Sequence, residues 1–382
     1  MSRALFVSNG HGEIAIAARI AGETRGVTCD HLALVGGAHG SGGTLHDVGP
    51  RKGMPSGGLI AMGNVRNIAR DVSSGLIAHT LAQLKFLRSS RGAYDAAVAV
   101  GDVFALIMTL QARARATIFV GTAKSVHHAK YGPVERRFIA KSQRVFVRDE
   151  ATAASLRAHG IDARAANVIV DLYSGAAPAI DTPFAPRLAI FPGSREAAYA
   201  DAAALCAIVR ELGSRFAHLG AMLSVAPALD PQHMAQTLRA AGWRVDERDD
   251  ALQPFSLFIG EREIVRAWRG PLGSMLNGAQ LVLGQAGTAN EAAAAAGIPV
   301  VAYEPSSGGK RAWYRARQAG LLGGALLIAG GGVHDAAQAV EALLHDAPRR
   351  ARMGTIGRDR MGPPGGAAAI ARQIEMLAGA RA

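Results

Sequence analysis

Short, nearly continuous apolar runs recur along the chain, each followed by a polar turn and then by a segment whose apolar residues have helical spacing. In the first half the runs are ALFVSN, HLALVG, AAVAVGD, ATIFVG and RVFVRD, with helices predicted near Glu13 to Glu23 and Glu150 to His159. After Ala166 to Val170 a turn-rich stretch, Ser174 to Arg187, carries Pro178, Pro183 and Pro186 and reads as an interdomain linker. The pattern then restarts with LAIFPGSRE, a helix from Tyr199 to Leu219, AMLSVAP, a helix from Gln232 to Ala241, short elements around REIVRAW, LVLGQAG and IPVVAYE. Such alternation predicts parallel sheets with helices on both faces. The fold class expected is therefore α/β, with two Rossmann-like domains facing across a cleft. The N-terminal domain is placed at 1–180 and the C-terminal one at 187–362. A short amphipathic helix, Ala367 to Leu377, fills the segment 363–382 and is a candidate for packing back on the first domain.

Ligands of open α/β sheets bind at the carboxyl ends of the strands, so the turns after each strand carry the candidate chemistry. The most informative is LGQAGTANEAAAAAGIPVVAY, Leu283 to Tyr303. Gly284, Gly287 and Thr288 lack bulk where the helix begins, leaving N–H groups and the positive end of the helix dipole open to an anion such as a diphosphate. Glu291, one turn further in, can accept both hydroxyls of a ribose. A second such turn is PGSR, where Gly193, Ser194 and Arg195 offer backbone N–H groups and a guanidinium to a phosphate. No Asp-x-Asp pair occurs that would hold a divalent ion between diphosphate oxygens, so metal independence and no cofactor are expected.

In the first half, Asp102 directly follows the strand AAVAVG, and His11 lies in the glycine-flanked loop SNGHGE after the first strand. Either side chain suits a general base at a strand end, and either also suits a purely local role, as a helix N-cap or a turn residue. His127 and His128 follow a strand near Lys124 and Lys130. Adjacent residues do not share a helix face, so a metal pair is disfavoured and a basic surface for an acceptor phosphate is the better reading. From Met54 to Arg91, apolar residues alternate with Arg66, Arg70, Lys85, Arg88 and Arg91. The stretch Leu59 to Ile68, with Met62 and Arg66, is a candidate acceptor lid. Leu76 to Phe86 reads either as a basic helix at an anionic bilayer surface or as an ordinary helix covering the sheet.

Charge and composition narrow the partners. The 42 Lys and Arg exceed the 30 Asp and Glu, a formal charge of +12, but the basic residues are dispersed and aromatic platforms are scarce. A nucleic-acid partner is therefore disfavoured, and an anionic membrane surface fits better. Two widely separated cysteines, Cys29 and Cys206, give neither a disulfide framework nor zinc spacing. With no signal peptide and no apolar run of membrane-spanning length, the expected location is the cytoplasm, peripheral to the inner face of the membrane.

Four segments together resemble the two-Rossmann (GT-B) glycosyltransferases, and more narrowly lipid-A-disaccharide synthase and its related proteins. They are VAVGDVFAL, SQRVFVRDEATAASLRAHGIDARAANVIVD, IFPGSREAA and GQAGTANEAAAAAGIPVVAYE. The resemblance implies an N-terminal acceptor and membrane domain and a C-terminal nucleotide-sugar domain. It implies transfer of a GlcNAc-type sugar from a UDP-sugar donor to a lipid-linked acceptor, with Asp102 in the place of the family's essential aspartate. In the Asn-x-x-x-Asp turn, Asn167 and Asp171 match, while Ala166 and Val168 replace the usual Gly and Pro. The first loop departs too, with His11 and Glu13 in place of the family's side chains. The rival expectations are a UDP-sugar 2-epimerase on the same fold and a nucleotide-sugar or lipid binding protein without chemistry.

Overall fold

The computed structural model describes residues 2–35, 44–52, 75–173, 177–305 and 312–379, without the side chains of His11, Ala312 and Trp313. The chain divides into two compact units, Met1–Leu172 with Pro364–Ala382, and Tyr173–Pro363.

The first unit runs β1 (Ser2–Asn9), α1 (His11–Glu23), β2 (Val27–Val35), β3 (His46–Asp47), α2 (Leu76–Ser89) and β4 (Ala96–Gly101). It continues with α3 (Val103–Thr109), β5 (Ala116–Gly121), α4 (Pro133–Ile139), β6 (Arg144–Val147), α5 (Glu150–Arg157), β7 (Ala163–Ala165) and α6 (Val168–Tyr173). The seven strands lie in the order β3-β2-β1-β4-β5-β6-β7, and every pairing is parallel. β4 and β5 are buried along their whole length because helices cover both faces. Fully burying side chains such as Leu5, Val7, Val98 and Ile118 contributes roughly 1.5–3 kcal/mol each. Aspartates start the helices that follow β4 and β6. Asp102 accepts from the N–H of Ala105 at 2.9 Å, and Asp149 from that of Thr152 at 2.7 Å.

The second unit runs β8 (Arg187–Phe191), α7 (Ala197–Gly213), β9 (Gly220–Ser224), α8 (Pro231–Ala240), β10 (Arg244–Glu247), β11 (Phe255–Ile259) and β12 (Arg262–Trp268). After α9 (Leu272–Leu276) come β13 (Leu281–Gly284), α10 (Thr288–Ala295), β14 (Val300–Glu304), α11 (Ala312–Leu322), β15 (Leu326–Gly330), α12 (Val333–His345) and α13 (Ala347–Met361). Its sheet has the order β10-β11-β12-β9-β8-β13-β14-β15. The pairs β10–β11 and β11–β12 are antiparallel, unlike the rest. This hairpin is absent from the sequence reading. β10 is a short, solvent-facing edge strand rich in charge, so it has none of the apolar alternation that marks a strand.

The proline-rich stretch before β8 packs on the second sheet. Ile180 and Phe184 are buried in its core, and a Cβ on Gly220 would sit 2.2 Å from the Phe184 ring. The last helix, α14 (Gly366–Ala378), belongs to the first unit. There the buried Asp171 accepts from the N–H groups of Gly365 at 2.5 Å and Ala367 at 2.6 Å. The Asp171 carboxylate thus closes the start of that helix from nearly two hundred residues away in sequence.

Candidate functional site

In the second unit β8 is flanked on one side by β9, its successor in the chain, and on the other by β13. The chain reverses its direction of strand addition between β8 and β13, which makes that pair the topological switch point where a ligand-binding crevice opens. The two turns singled out from the sequence leave these two strands. They are tied together, since the N–H groups of Gln285 and Ala286 both donate to the carbonyl of Phe191, at 2.8 and 3.1 Å.

Each turn has a physical reason for its glycines. Gly193 has φ +118°, a region closed to ordinary side chains, and it precedes the exposed Ser194 and Arg195. The 17-residue α7 then starts without a side-chain cap. Gly284 is demanded by packing, because a Cβ there would lie 1.9 Å from Oδ1 of the fully buried Asn290. Asn290 Nδ2 in turn donates to the Gly284 carbonyl at 3.2 Å. Gly287 has no room for a side chain beneath the phenol of Tyr314, whose Oη would be 2.6 Å from its Cβ.

Thr288 opens α10, which also lacks a side-chain cap, and the partly buried Glu291 stands on its first turn. Glu291 lies close to two tyrosines. The phenols of Tyr173 and Tyr314 are pushed up first by burial and then by the Glu291 charge, and Arg195 acts on Tyr314 in the opposite sense. Glu291 thus acts on both tyrosines, and Arg195 on Tyr314 as well. Two helix N-termini, a guanidinium and a carboxylate on one crevice suit a phosphorylated, hydroxylated ligand.

In the first unit the equivalent switch point lies between β1 and β4. Gly10, with φ +109°, turns the chain from β1 into α1, and His11 is the first residue of that helix. Asp102 follows β4. Its Oδ1 caps α3 and its Oδ2 accepts from Asn9 Nδ2 at 3.3 Å. The partly buried Glu13 reaches toward the same place. A Cβ on Gly10 would be 2.9 Å from Glu13 Oε2, and one on Gly101 3.3 Å from its Cγ. Thr122 Oγ1 donates to Glu13 Oε1 at 3.4 Å, and the buried Arg148 donates to the Thr122 carbonyl at 3.2 Å. Burial raises the Glu13 carboxyl to about 7, with the Asp102 charge adding to the rise and Arg148 and the hydrogen bonds opposing it. Beside this cluster the buried Tyr131 lies against Gly121, its phenol raised by burial and by Glu135.

Lys124 and His127 sit in the segment after β5. Lys124 is paired with Glu135 at 2.7 Å, and that same carboxylate oxygen accepts the N–H of Gly132 at the start of α4. The N–H of His127 donates to Ser125 Oγ at 3.2 Å. Met62 and Arg66 lie outside the described residues. Among those described, no cluster of His, Cys, Asp and Glu forms a metal-holding group. Cys29 and Cys206 are buried free thiols. Thr122, Arg148 and Tyr314 are the residues that sequence reasoning left without a role, and Glu13 entered it only as a first-loop side chain that departs from the family and could abstract a proton in the epimerase alternative. Glu13 alone had a local signal, an acid three residues after the glycine that ends β1.

No protein-family description and no curated protein sequence matches the chain. Solved structures do. The UDP-GlcNAc 2-epimerase from Neisseria meningitidis bound to UDP-GlcNAc superposes with a TM-score of 0.59 at 13% identity, covering 98% of this chain and 100% of that one. A calicheamicin glycosyltransferase gives 0.60 at 17% identity, with 99% and 98% covered. MurG from Acinetobacter baumannii gives 0.55 at 12% identity, with 98% and 100% covered. At such identity the likeness is one of fold, and the chain has the two-Rossmann GT-B architecture.

Proposed function

We propose that the protein is a glycosyltransferase that moves a sugar, of GlcNAc type, from a UDP-sugar to a lipid-linked acceptor at an anionic membrane surface. The observation that carries this reading is the bond from Gln285 to Phe191, which sets PGSR and GQAGTANE side by side at the switch point of the second sheet. In this reading Gly193, Ser194 and Arg195, with Gly287 and Thr288, hold the diphosphate, and Glu291 holds the ribose. As the bond from the sugar C1 to the phosphate oxygen breaks, its electron pair leaves with the nucleotide, and the Arg195 charge and helix N-termini stabilise it. A carboxylate at the β1–β4 switch point, with Asp102 the first candidate, receives the proton of the acceptor hydroxyl as the new C1–O bond forms.

The membrane part of the reading is supported by α2. That helix turns His79, Gln83 and Leu87 inward, and Gln83 Nε2 donates to the carbonyls of Ala33 and Leu34 at 3.0 and 3.2 Å. Its outward side carries Ile77 and Leu81, each 60% exposed, with Lys85 and Arg88 further along. Apolar residues facing out beside cations suit an anionic lipid surface. Among the described residues no helix is long and apolar enough to cross a membrane.

A second reading, inversion of a UDP-sugar at C2, is favoured by the closeness of Glu13 to the end of β4, where a Cβ on Gly101 would lie 3.3 Å from its Cγ and Asp102 follows. A carboxyl raised to about 7 with a second carboxylate near it suits removal and return of a carbon-bound proton. Lipid analysis of a strain lacking the gene separates the two. Transfer predicts one missing glycolipid, whereas unchanged lipids with an altered pool of soluble UDP-sugars would support inversion.

A further inference from the structure

We infer that Glu13 is the catalytic residue that carries the proton in the sugar reaction, and that Asp102 is a positioning residue which holds Glu13 ready to accept it. This rests on the reading above, and it reverses the roles suggested by the position of Asp102 at a strand end.

The hydrogen bonds of the two carboxylates differ. Asp102 is committed on both oxygens, with Oδ1 taking the Ala105 N–H at 2.9 Å and Oδ2 the Asn9 amide at 3.3 Å. Both Asp102 oxygens are thus engaged in holding the start of α3 and the end of β1 in place.

Among the described residues Glu13 has one long bond from another side chain, Thr122 at 3.4 Å. It stands in a space left by two glycines. Gly10 and Gly101 have φ of +109° and +133°, and a side chain at Gly10 would meet Oε2 at 2.9 Å. The backbone is thus folded around the Glu13 carboxylate. A structural acid at the start of a helix would be drawn toward the anionic form by the dipole and its local N–H groups. Here burial and the facing Asp102 charge prevail, although Arg148, Thr122 and the Glu13 backbone N–H oppose them, and the group titrates at about 7. A base with a proton affinity near the working pH takes and releases protons most effectively.

Anionic Glu13 takes the proton of the acceptor hydroxyl, and the oxygen lone pair forms the bond to C1. The bond from C1 to the diphosphate oxygen breaks with its electrons on UDP, and neutral Glu13 returns the proton to solvent.

The test combines carbon-13 NMR of the Glu13 carboxyl with turnover measured against pH for wild type, Glu13→Gln and Asp102→Asn. Retained melting temperatures establish that the variants fold. The expected Glu13 midpoint is near 7 in the wild type and falls in Asp102→Asn, while staying above the ordinary glutamate value because burial, the larger cause, remains. The acidic limb of the kcat/KM profile should move with it. Glu13→Gln should lose about 100- to 10,000-fold in kcat while binding UDP as the wild type does. A wild-type midpoint in the usual carboxylate range, or Glu13→Gln turning over normally, overturns the assignment. A midpoint near 7 that depends on Asp102, in a wild-type protein that inverts UDP-sugars at C2 but never transfers, supports the Glu13 role and counts against transfer alone.

Discussion

The N–H of Gln285 donates to the carbonyl of Phe191 at 2.8 Å, so the turn after β13 is hung from the end of β8. The geometry of that join depends on Gly284, since its missing Cβ leaves the space that Asn290 Oδ1 fills. Gly284→Ala is expected to cost about 1–3 kcal/mol of stability through overpacking. It should also weaken UDP binding by displacing the start of α10. Thermal unfolding and calorimetric titration with UDP measure the two effects, and an unchanged affinity would show that the turn does not hold the nucleotide.

Arg195 is exposed and Glu291 partly buried, so replacing either should spare the fold. Hydrogen bonds to charged groups are worth about 1.5–3 kcal/mol, so Arg195→Ala and Glu291→Ala are each expected to weaken UDP binding by about 10- to 100-fold. Glu291→Gln also removes the charge that raises Tyr173 and Tyr314. Spectrophotometric titration should then show tyrosines ionising at lower pH than in wild type.

Glu13 makes the fold sensitive to pH in a defined direction. Its carboxyl is raised in the folded protein from 4.5 to about 7, so the folded state binds this proton more tightly than the unfolded one. The stabilisation is complete below 4.5 and is lost as pH rises through 7. The full displacement corresponds to about 3 kcal/mol. Glu13→Gln should remove this slope and leave the protein more stable than wild type at pH 8, as read by denaturant midpoints across pH. A difference between variant and wild-type midpoints that is the same at pH 5 and pH 8 would show that Glu13 ionises normally.

The outward face of α2 gives a membrane prediction. Ile77→Asp and Leu81→Asp alter exposed positions, so melting temperatures should hold while binding to phosphatidylglycerol vesicles falls. Binding by the wild type should weaken with salt, as attraction between Lys85, Arg88 and lipid headgroups is screened. Vesicle binding that is identical in the variants would remove α2 from the membrane contact.

Because the sequence offers no Asp-x-Asp pair to bridge a metal and a diphosphate, UDP affinity and turnover should withstand chelation by EDTA. A loss restored by added magnesium or manganese would contradict this.

Much of the fold was legible because parallel strands covered on both faces produce continuous apolar runs, as in AAVAVG and ATIFVG. The turns at Gly193 and Gly284 were legible because glycine and the ensuing helix start are local signals. The β10–β11 hairpin was not, since RVDE is stabilised at a sheet edge by pairing with its neighbour and not by an apolar pattern of its own. The cluster of Glu13, Asp102, Thr122 and Arg148 was illegible for a different reason. Its members come from the ends of four strands, and only the parallel register of β1, β4, β5 and β6 assembles them. Asp171 is similar, an acid in a recognised motif whose partners Gly365 and Ala367 are nearly two hundred residues away.

The most direct test incubates the purified protein with radiolabelled UDP-GlcNAc, with and without a membrane lipid extract, and follows both UDP and label. Transfer predicts UDP release that requires the lipid, with label moving into the organic phase. Label that stays in water as a C2-inverted UDP-sugar, formed equally well without lipid, would contradict it.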